Sequence, residues 1–311
     1  MSAGCGPPVH FTQHNASPKA ELPPKGWFCL PGGPWQWAEA RLAMNVPLSQ
    51  ELVDNLLADI PFVPRAHYFA SIPSTNDVLM RMAADGAPEG TLVVADEQTA
   101  GRGRLDRRWL APSLTSLLFS LLFRPAAAGD AWPLHYVMVC ALAVRDAVRE
   151  LLGLEIGLKW PNDLVLQGRK LGGILTEIGD VAGRVRYAVI GVGVNVNWDP
   201  SIAEFDQPAT SLMNQAGRLV ARGELLRAIV GRIAERYAAL QAGESPAKEW
   251  EAALDTIGQA VVVDLPCERL EGMAIGVDAD GALRVRALDG RTHRIVAGDV
   301  RVRTVQNRQN G

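Results

Sequence analysis

The spacing of apolar and polar residues changes several times along the chain, and each change marks a different element. Leu48 to Ile60 (L-S-Q-E-L-V-D-N-L-L-A-D-I) repeats its apolar residues at helical spacing behind Ser49, which suits an N-cap. From Ala66 strands and helices alternate. His67 to Ile72 and Thr91 to Asp96 read as strands. Between them, Ser74, Thr75 or Asn76 can cap a helix over Asp77 to Asp85, which Gly86 ends. Ser116 to Phe123 (S-L-L-F-S-L-L-F) is apolar on both faces, as a central strand is. Leu134 to Leu152 carries an apolar stripe and stops at Gly153. The stretch L-K-W-P-N-D-L-V-L-Q-G-R-K-L-G-G-I-L-T-E-I predicts two strands with a turn at Gln167 and Gly168. Arg186 to Val196 is a strand ending in G-V-G-V-N, and Leu225 to Leu240 a second long amphipathic helix.

The pattern shortens after that. Gln259 to Arg303 holds V-V-V, M-A-I-G-V, L-R-V-R-A-L, H-R-I-V and V-R-V-R. Asp280-Gly281 and Asp289-Gly290 serve as hairpin turns, which together predict a small antiparallel barrel. Residues 1 to 45 have no sustained period and are rich in Pro, Gly and Trp, an irregular arm that Trp27, Trp35 and Trp37 would pack onto the next domain. Only one short helix precedes Ala66, whereas a winged DNA-binding head needs two more.

Composition narrows the class. The chain has 311 residues, 48% apolar and 21% charged, enough for a large domain and a smaller one. A net charge of −3 argues against a general polyanion binder. Four scattered cysteines (Cys5, Cys29, Cys140, Cys267) without a C-x-x-C pair suggest neither a disulfide framework nor a zinc site. No apolar run approaches the roughly 20 residues of a membrane-spanning helix, and no basic-then-apolar leader opens the chain. A cytoplasmic protein without nucleic-acid or membrane partners is the expectation.

Four features can carry chemistry. In A-G-R-G-R-L-D-R-R-W (Ala100 to Trp109), Gly101 and Gly103 alternate with Arg102 and Arg104. Four guanidiniums within seven residues repel one another without anions, so the run suits a mobile loop around an anionic ligand, or a solvated basic loop. Lys159 sits in a strand whose neighbours Ile156, Leu158 and Leu164 predict burial; a lone buried Lys is costly and points to a cleft or an anion. Gly172, Gly173, Gly191 and Gly193 lie in apolar strands, where glycine marks tight packing, a bulge or the close approach of a ligand. Ser74, Thr75 and Asn76 read equally as a plain cap or as a polar cluster for a small ring or carboxylate.

Taken together, S-T-N, Q-T-A-G-R-G-R followed by R-R-W, K-W-P-N-D-L, K-L-G-G-I-L-T-E and G-V-G-V-N resemble a biotin protein ligase, over about residues 66 to 303. One departure stands in the loop, where Asp106 replaces the third Gly of the family's G-R-G-R-x-G-R. The resemblance implies an α+β fold, a class II synthetase-like mixed sheet with helices, plus an SH3-like C-terminal barrel. It divides the chain into an extension over 1–65, a catalytic domain over 66–256 and the SH3-like domain over 257–304. The implied reaction activates biotin with ATP and Mg²⁺ as biotinyl-5′-AMP. It then transfers the biotinyl group to a lysine of a biotin carboxyl carrier domain, in acetyl-CoA carboxylase or another biotin-dependent carboxylase. A monomer or weak homodimer is expected.

Residue by residue, Ser74, Thr75, Asn76 and Gln98 resemble the biotin ring contacts. Gly101, Arg102, Gly103 and Arg104 match the loop over carboxylate and phosphate, and Lys159 matches the phosphate-side lysine. Arg102, Arg104 and Lys159 are thus the implied catalytic set, with no resident protein-held metal. Trp109 would wall the ligand, Gly172, Gly191, Gly193 and Asn195 would lie against it, and Trp198 is a candidate to cover adenine. The alternatives are a lipoate or octanoate ligase, whose Arg-Arg-x-x-Gly-Gly-Gly stretch is missing, and a biotin-responsive transcriptional repressor.

Overall fold

The computed structural model describes residues 47–302 except 106, 125–131, 182–183, 204, 206 and 266–268. The expected N-terminal arm over 1–45 and the Asp106 departure therefore lie outside the described residues.

A seven-stranded mixed sheet forms the larger part. Its strands are β1 (Ala66–Phe69), β2 (Leu92–Ala95), β3 (Ser116–Phe123), β4 (Gly157–Lys159), β5 (Asp163–Leu166), β6 (Arg169–Val181) and β7 (Arg184–Asn195). They lie in the order β1-β2-β3-β7-β6-β5-β4, with β1 and β2 parallel and the other neighbours antiparallel. All eight residues of β3 are buried, as the two-faced apolar run requires.

The helices are α1 (Gln50–Leu57), α2 (Thr75–Ala84), α3 (Trp132–Leu152), the short α4 (Leu212–Ala216), α5 (Arg222–Gln241) and the short α6 (Ala247–Ala252). One sheet face, through Leu117, Phe119, Leu121, Ile190 and Val192, joins the main core with residues of α3 and α5 such as Met138, Leu142 and Ile229. The other face carries a smaller cluster in which Leu79 and Ala83 of α2 meet Val93, Ala95, Leu122 and Val189. That smaller cluster leaves the rest of its face for polar groups.

The K-W-P-N-D-L stretch departs from the two-strand expectation. Three strands form, because Trp160-Pro161 interrupts the run and β4 stops at Lys159. The turn at Gln167 and Gly168 is as expected, both residues having positive φ. Beyond α6, β8 (Ala260–Asp264), β9 (Arg269–Val277), β10 (Leu283–Ala287), β11 (Thr292–Ile295) and β12 (Asp299–Val302) make an antiparallel sheet in the order β11-β10-β9-β8-β12. Trp160, next to Lys159, bonds both to the segment that leads into this sheet and to its β9–β10 turn. Trp160 N–H donates to Thr256 Oγ1 at 3.0 Å, and its indole Nε1–H donates to Gly281 O at 2.9 Å.

Candidate active site

The site is built on the open face, over the row Ser120–Gly191–Leu175 that runs across β3, β7 and β6. Ser74 is the N-cap of α2, its Oγ accepting from Asp77 N, so Thr75 and Asn76 fall in the first turn rather than before it. All three are buried. Thr75 donates from both its backbone N and its hydroxyl to Gln98 Oε1, at 2.7 and 3.0 Å. With its oxygen taken, Gln98 presents its amide N–H₂ as a donor. Ser120 Oγ lies 2.7 Å from Thr75 Oγ1 and 2.5 Å from Asn76 Oδ1. Asn76 Nδ2 donates to Glu177 Oε2 at 2.8 Å and to Leu175 O at 3.3 Å. Thr75, Asn76 and Ser120 orient one another, and Thr75 fixes the Gln98 amide, which sets where a ring ligand would find donors and acceptors.

The glycines of β7 form the floor. A Cβ on Gly191 would come within 2.3 Å of Asn76 Oδ1, and one on Gly193 within 3.0 Å of the Trp109 ring. Asn76 and Trp109 thus rest on two glycines two residues apart on one strand face. On the neighbouring strand Gly172 admits the Gly193 carbonyl, which a Cβ would meet at 2.5 Å. Here the expected close approach is by the chain's own groups.

The Gly-Arg stretch is more ordered than an open loop. Gly103 N donates to Arg107 O at 2.7 Å and Trp109 N to Gly101 O at 2.9 Å, so the segment folds back as a narrow hairpin. Gly101 makes this possible: a Cβ there would stand 2.6 Å from Trp109 O. The hairpin delivers Trp109 to the floor, where its indole Nε1 is buried with no hydrogen-bond partner among the described residues. An orphaned buried donor invites a ligand acceptor.

The two hairpin arginines diverge. Arg102 reaches back toward the Thr75–Asn76–Gln98 cluster, its Nη2 lying 2.5 Å from Asp77 Oδ1 and 2.6 Å from Glu177 Oε2. An open depression of about 510 Å³, lined by Asp77, Met80, Arg81, Arg102 and Glu177, opens beside this pair. Arg104 reaches the opposite way, donating to Asn162 Oδ1 at 3.3 Å and to Gly298 O of the C-terminal sheet at 3.1 Å. Asn162 in turn is pinned to Ile174 O at 2.7 Å. Arg104 therefore joins the corner that holds Lys159, three residues before Asn162. Lys159 is half-buried between the buried Leu158 and Trp160, without a hydrogen-bond or ion-pair partner among the described residues. Nearby, Lys170 Nζ already pairs with Asp163 Oδ1 at 2.6 Å.

Asn195 is buried at the end of β7, with both ends of its amide engaged. Its Nδ2 donates to Thr210 O at 3.1 Å, and its Oδ1 accepts from Trp198 Nε1 at 3.2 Å. Trp198 is itself buried and meets Phe205 edge-on. These two residues shape the end of the floor through each other.

Sequence reasoning missed Ser120, Asp77 and Glu177. Ser120 is the one hydroxyl inside an apolar strand that Ser116 opens, and Glu177 an acid at the end of I-L-T-E; each interrupts an otherwise apolar run. Among the described residues no group of three or more His, Cys, Asp or Glu could hold a metal ion, and no helix is long and apolar enough to cross a membrane.

The chain is similar to known proteins over both of its sheets. Residues 68–195 match the biotin/lipoate A/B protein ligase family, and residues 256–303 match the biotin protein ligase C terminal domain. The chain is 35% identical over 227 residues to the bifunctional ligase/repressor BirA of Bacillus subtilis, covering 72% of this chain and 70% of that one. It is 36% identical over 243 residues to the biotin–[acetyl-CoA-carboxylase] ligase of Mycobacterium tuberculosis, covering 74% and 86%. Among solved structures, the biotin protein ligase of Aquifex aeolicus in complex with biotin and ATP superposes with a TM-score of 0.65 at 27% identity, over 77% of this chain and 99% of that one. The chain belongs to the biotin/lipoate A/B protein ligase family, among its biotin protein ligases.

Proposed function

We propose that the chain is the cell's biotin–carrier-protein ligase, working in the cytoplasm. It would join biotin to ATP and pass the biotinyl group to one lysine of a carboxylase carrier domain. One arrangement carries this reading. A neutral, hydrogen-bonded ring pocket (Thr75, Asn76, Gln98) stands at one end of a glycine floor, with Arg104 and Lys159, which has no partner among the described residues, at the other and Arg102 reaching over between. Such a site suits a ligand with a neutral polar ring and an anionic tail.

In the first step an oxygen of the biotin carboxylate attacks the α-phosphorus of ATP, and the bond to pyrophosphate breaks. Both reactants are anionic, so the step needs cations that neutralise and align them. Arg102 and Lys159 are assigned that role. Mg²⁺ would supply further charge neutralisation as the counter-ion of the triphosphate, a role that needs few protein ligands. In the second step the carrier's lysine amine attacks the acyl carbon, the acyl–oxygen bond to AMP breaks and the amine sheds its proton. Between the steps the mixed anhydride must be kept from water, the work assigned to the hairpin with Trp109 and Arg104.

Pyrophosphate exchange by the purified chain, run with biotin, lipoate and octanoate in turn, tests the reading. Exchange is expected with biotin alone, followed by labelling of a carrier domain. Exchange that responded to lipoate or octanoate and ignored biotin would overturn it.

A further inference from the structure

Glu177 has no role in the reaction as derived above, yet it touches both halves of the site. Its Oε2 accepts from Asn76 Nδ2 at 2.8 Å and from Arg102 Nη2 at 2.6 Å. It stands on β6, paired through Val189 with the centre of the sheet, and its side chain is 24% exposed, against 40% for Asp77. Arg102, by contrast, is carried on the Gly-Arg hairpin and is 41% exposed. A long side chain on a turn has many rotamers, and holding it in one costs entropy each time a ligand binds.

We propose that Glu177 is a positioning residue: a strand-borne carboxylate that holds Arg102 by one end of its fork, turns the remaining donors toward the substrate's anionic tail, and links that placement to Asn76 in the ring pocket. Both bonds that Arg102 makes to carboxylates run through Nη2, which leaves Nε and Nη1 to act as donors. Orientation achieved before binding lowers the barrier to the chemical step without adding affinity for the ring. Asp77 holds the same nitrogen, but from a more exposed position and without the link to Asn76.

The inference rests on the ligase reading, so its test has one part that does not. In the unliganded protein with ¹⁵N-labelled arginine, the Arg102 guanidinium is expected to give slowly rotating N–H signals that Glu177→Gln abolishes; identical spectra in parent and variant would refute the positioning role whatever the substrate. In pyrophosphate exchange, Glu177→Gln keeps an oxygen for Asn76 and is expected to lower kcat about tenfold while KM for biotin changes by less than about threefold. Combined with Arg102→Ala it should cost almost nothing further, since both act through one group. Additive losses would show that Glu177 works independently of Arg102. Glu177→Ala should also raise KM, in the Arg102→Ala background as well, because Asn76 then loses its anchor. A parent chain without biotin-dependent exchange would overturn the ligase reading and leave the spectroscopic result to decide the role of Glu177.

Discussion

Asn76 Oδ1 occupies the space where residue 191 would carry a Cβ, 2.3 Å from that position. The amide cannot retreat. Ser120 holds its oxygen, and Glu177 and Leu175 hold its nitrogen. Gly191→Ala should therefore disrupt this network, and it is the most direct probe of the ring pocket. Overpacking of this kind costs about 1–3 kcal/mol. A fall of a few degrees in Tm is expected, with biotin binding by calorimetry weakened at least about tenfold. Undiminished biotin affinity in Gly191→Ala would exclude Asn76 from the pocket.

Lys159 gives a contrasting case, because nothing in the fold depends on its charge. It has no partner among the described residues, and its strand is anchored by Leu158 and Trp160 on either side. Lys159→Gln should leave Tm unchanged or slightly raised. Adenylate formation should fall by about 10²-fold, the scale at which loss of one preorganised charge stabiliser is felt. Rapid-quench measurement of biotinyl-AMP checks it. A loss of stability with little loss of rate would make Lys159 a structural residue.

The ease of reading the sequence followed how local each feature was. The face-independent burial of Ser116–Phe123 was legible, because a run apolar on both faces has few other homes. The helices Leu134–Leu152 and Leu225–Leu240 were found within a few residues, since both are long enough to show a period. The five-residue Leu212–Ala216 and six-residue Ala247–Ala252 helices are too short to show one. In the site, Gly101 and Gly103 predict a mobile loop around an anion, but Gly101 is needed because the returning segment with Trp109 packs against it, a fact of tertiary pairing. Glu177 was passed over for the same reason: only the register of β6 on β7 and the reach of Asn76 give it partners.

Arg104 joins the hairpin to the C-terminal sheet through Gly298 O and to the strand corner through Asn162. Arg104→Ala removes both ties while leaving Arg102 at the ring pocket. Adenylate should still form, yet escape early, so that lysines outside the carrier domain become labelled. The release of biotinyl-AMP into solution, measured by chromatography, should rise about tenfold or more, as loss of a water-excluding closure predicts. Carrier labelling as fast and as selective as in the parent would show that the hairpin does not retain the intermediate.

Asp96 lies two residues before Gln98, and its carboxylate is the hub of a polar network. It pairs with the buried Arg222 at 2.7 Å and accepts from Tyr68 OH at 2.8 Å and from Leu48 N at 3.1 Å. Asp96→Asn strands a buried guanidinium, which costs about 3–5 kcal/mol. At 2–4 °C per kcal/mol this is a fall of about 10 °C in Tm. The same hub makes stability depend on alkaline pH. Burial, then the hydrogen bond to Asp96 and its negative charge, push the Tyr68 phenol up from its ordinary 10.0 to about 12, with Arg222 pulling the other way. A raised value means that the folded state keeps its proton where the unfolded chain has lost it. The stabilisation is therefore complete below pH 10 and is lost as the pH rises from 10.0 through about 12. Tyr136, also pushed up to about 12, contributes in the same window. Tyr68→Phe should then be less stable than the parent at pH 7, by about 1 kcal/mol for the missing hydrogen bond, and lose less of its stability between pH 10 and 12. Urea unfolding at pH 7, 10 and 11.5 measures both; equal slopes for parent and variant over the alkaline interval would remove Tyr68 from the account.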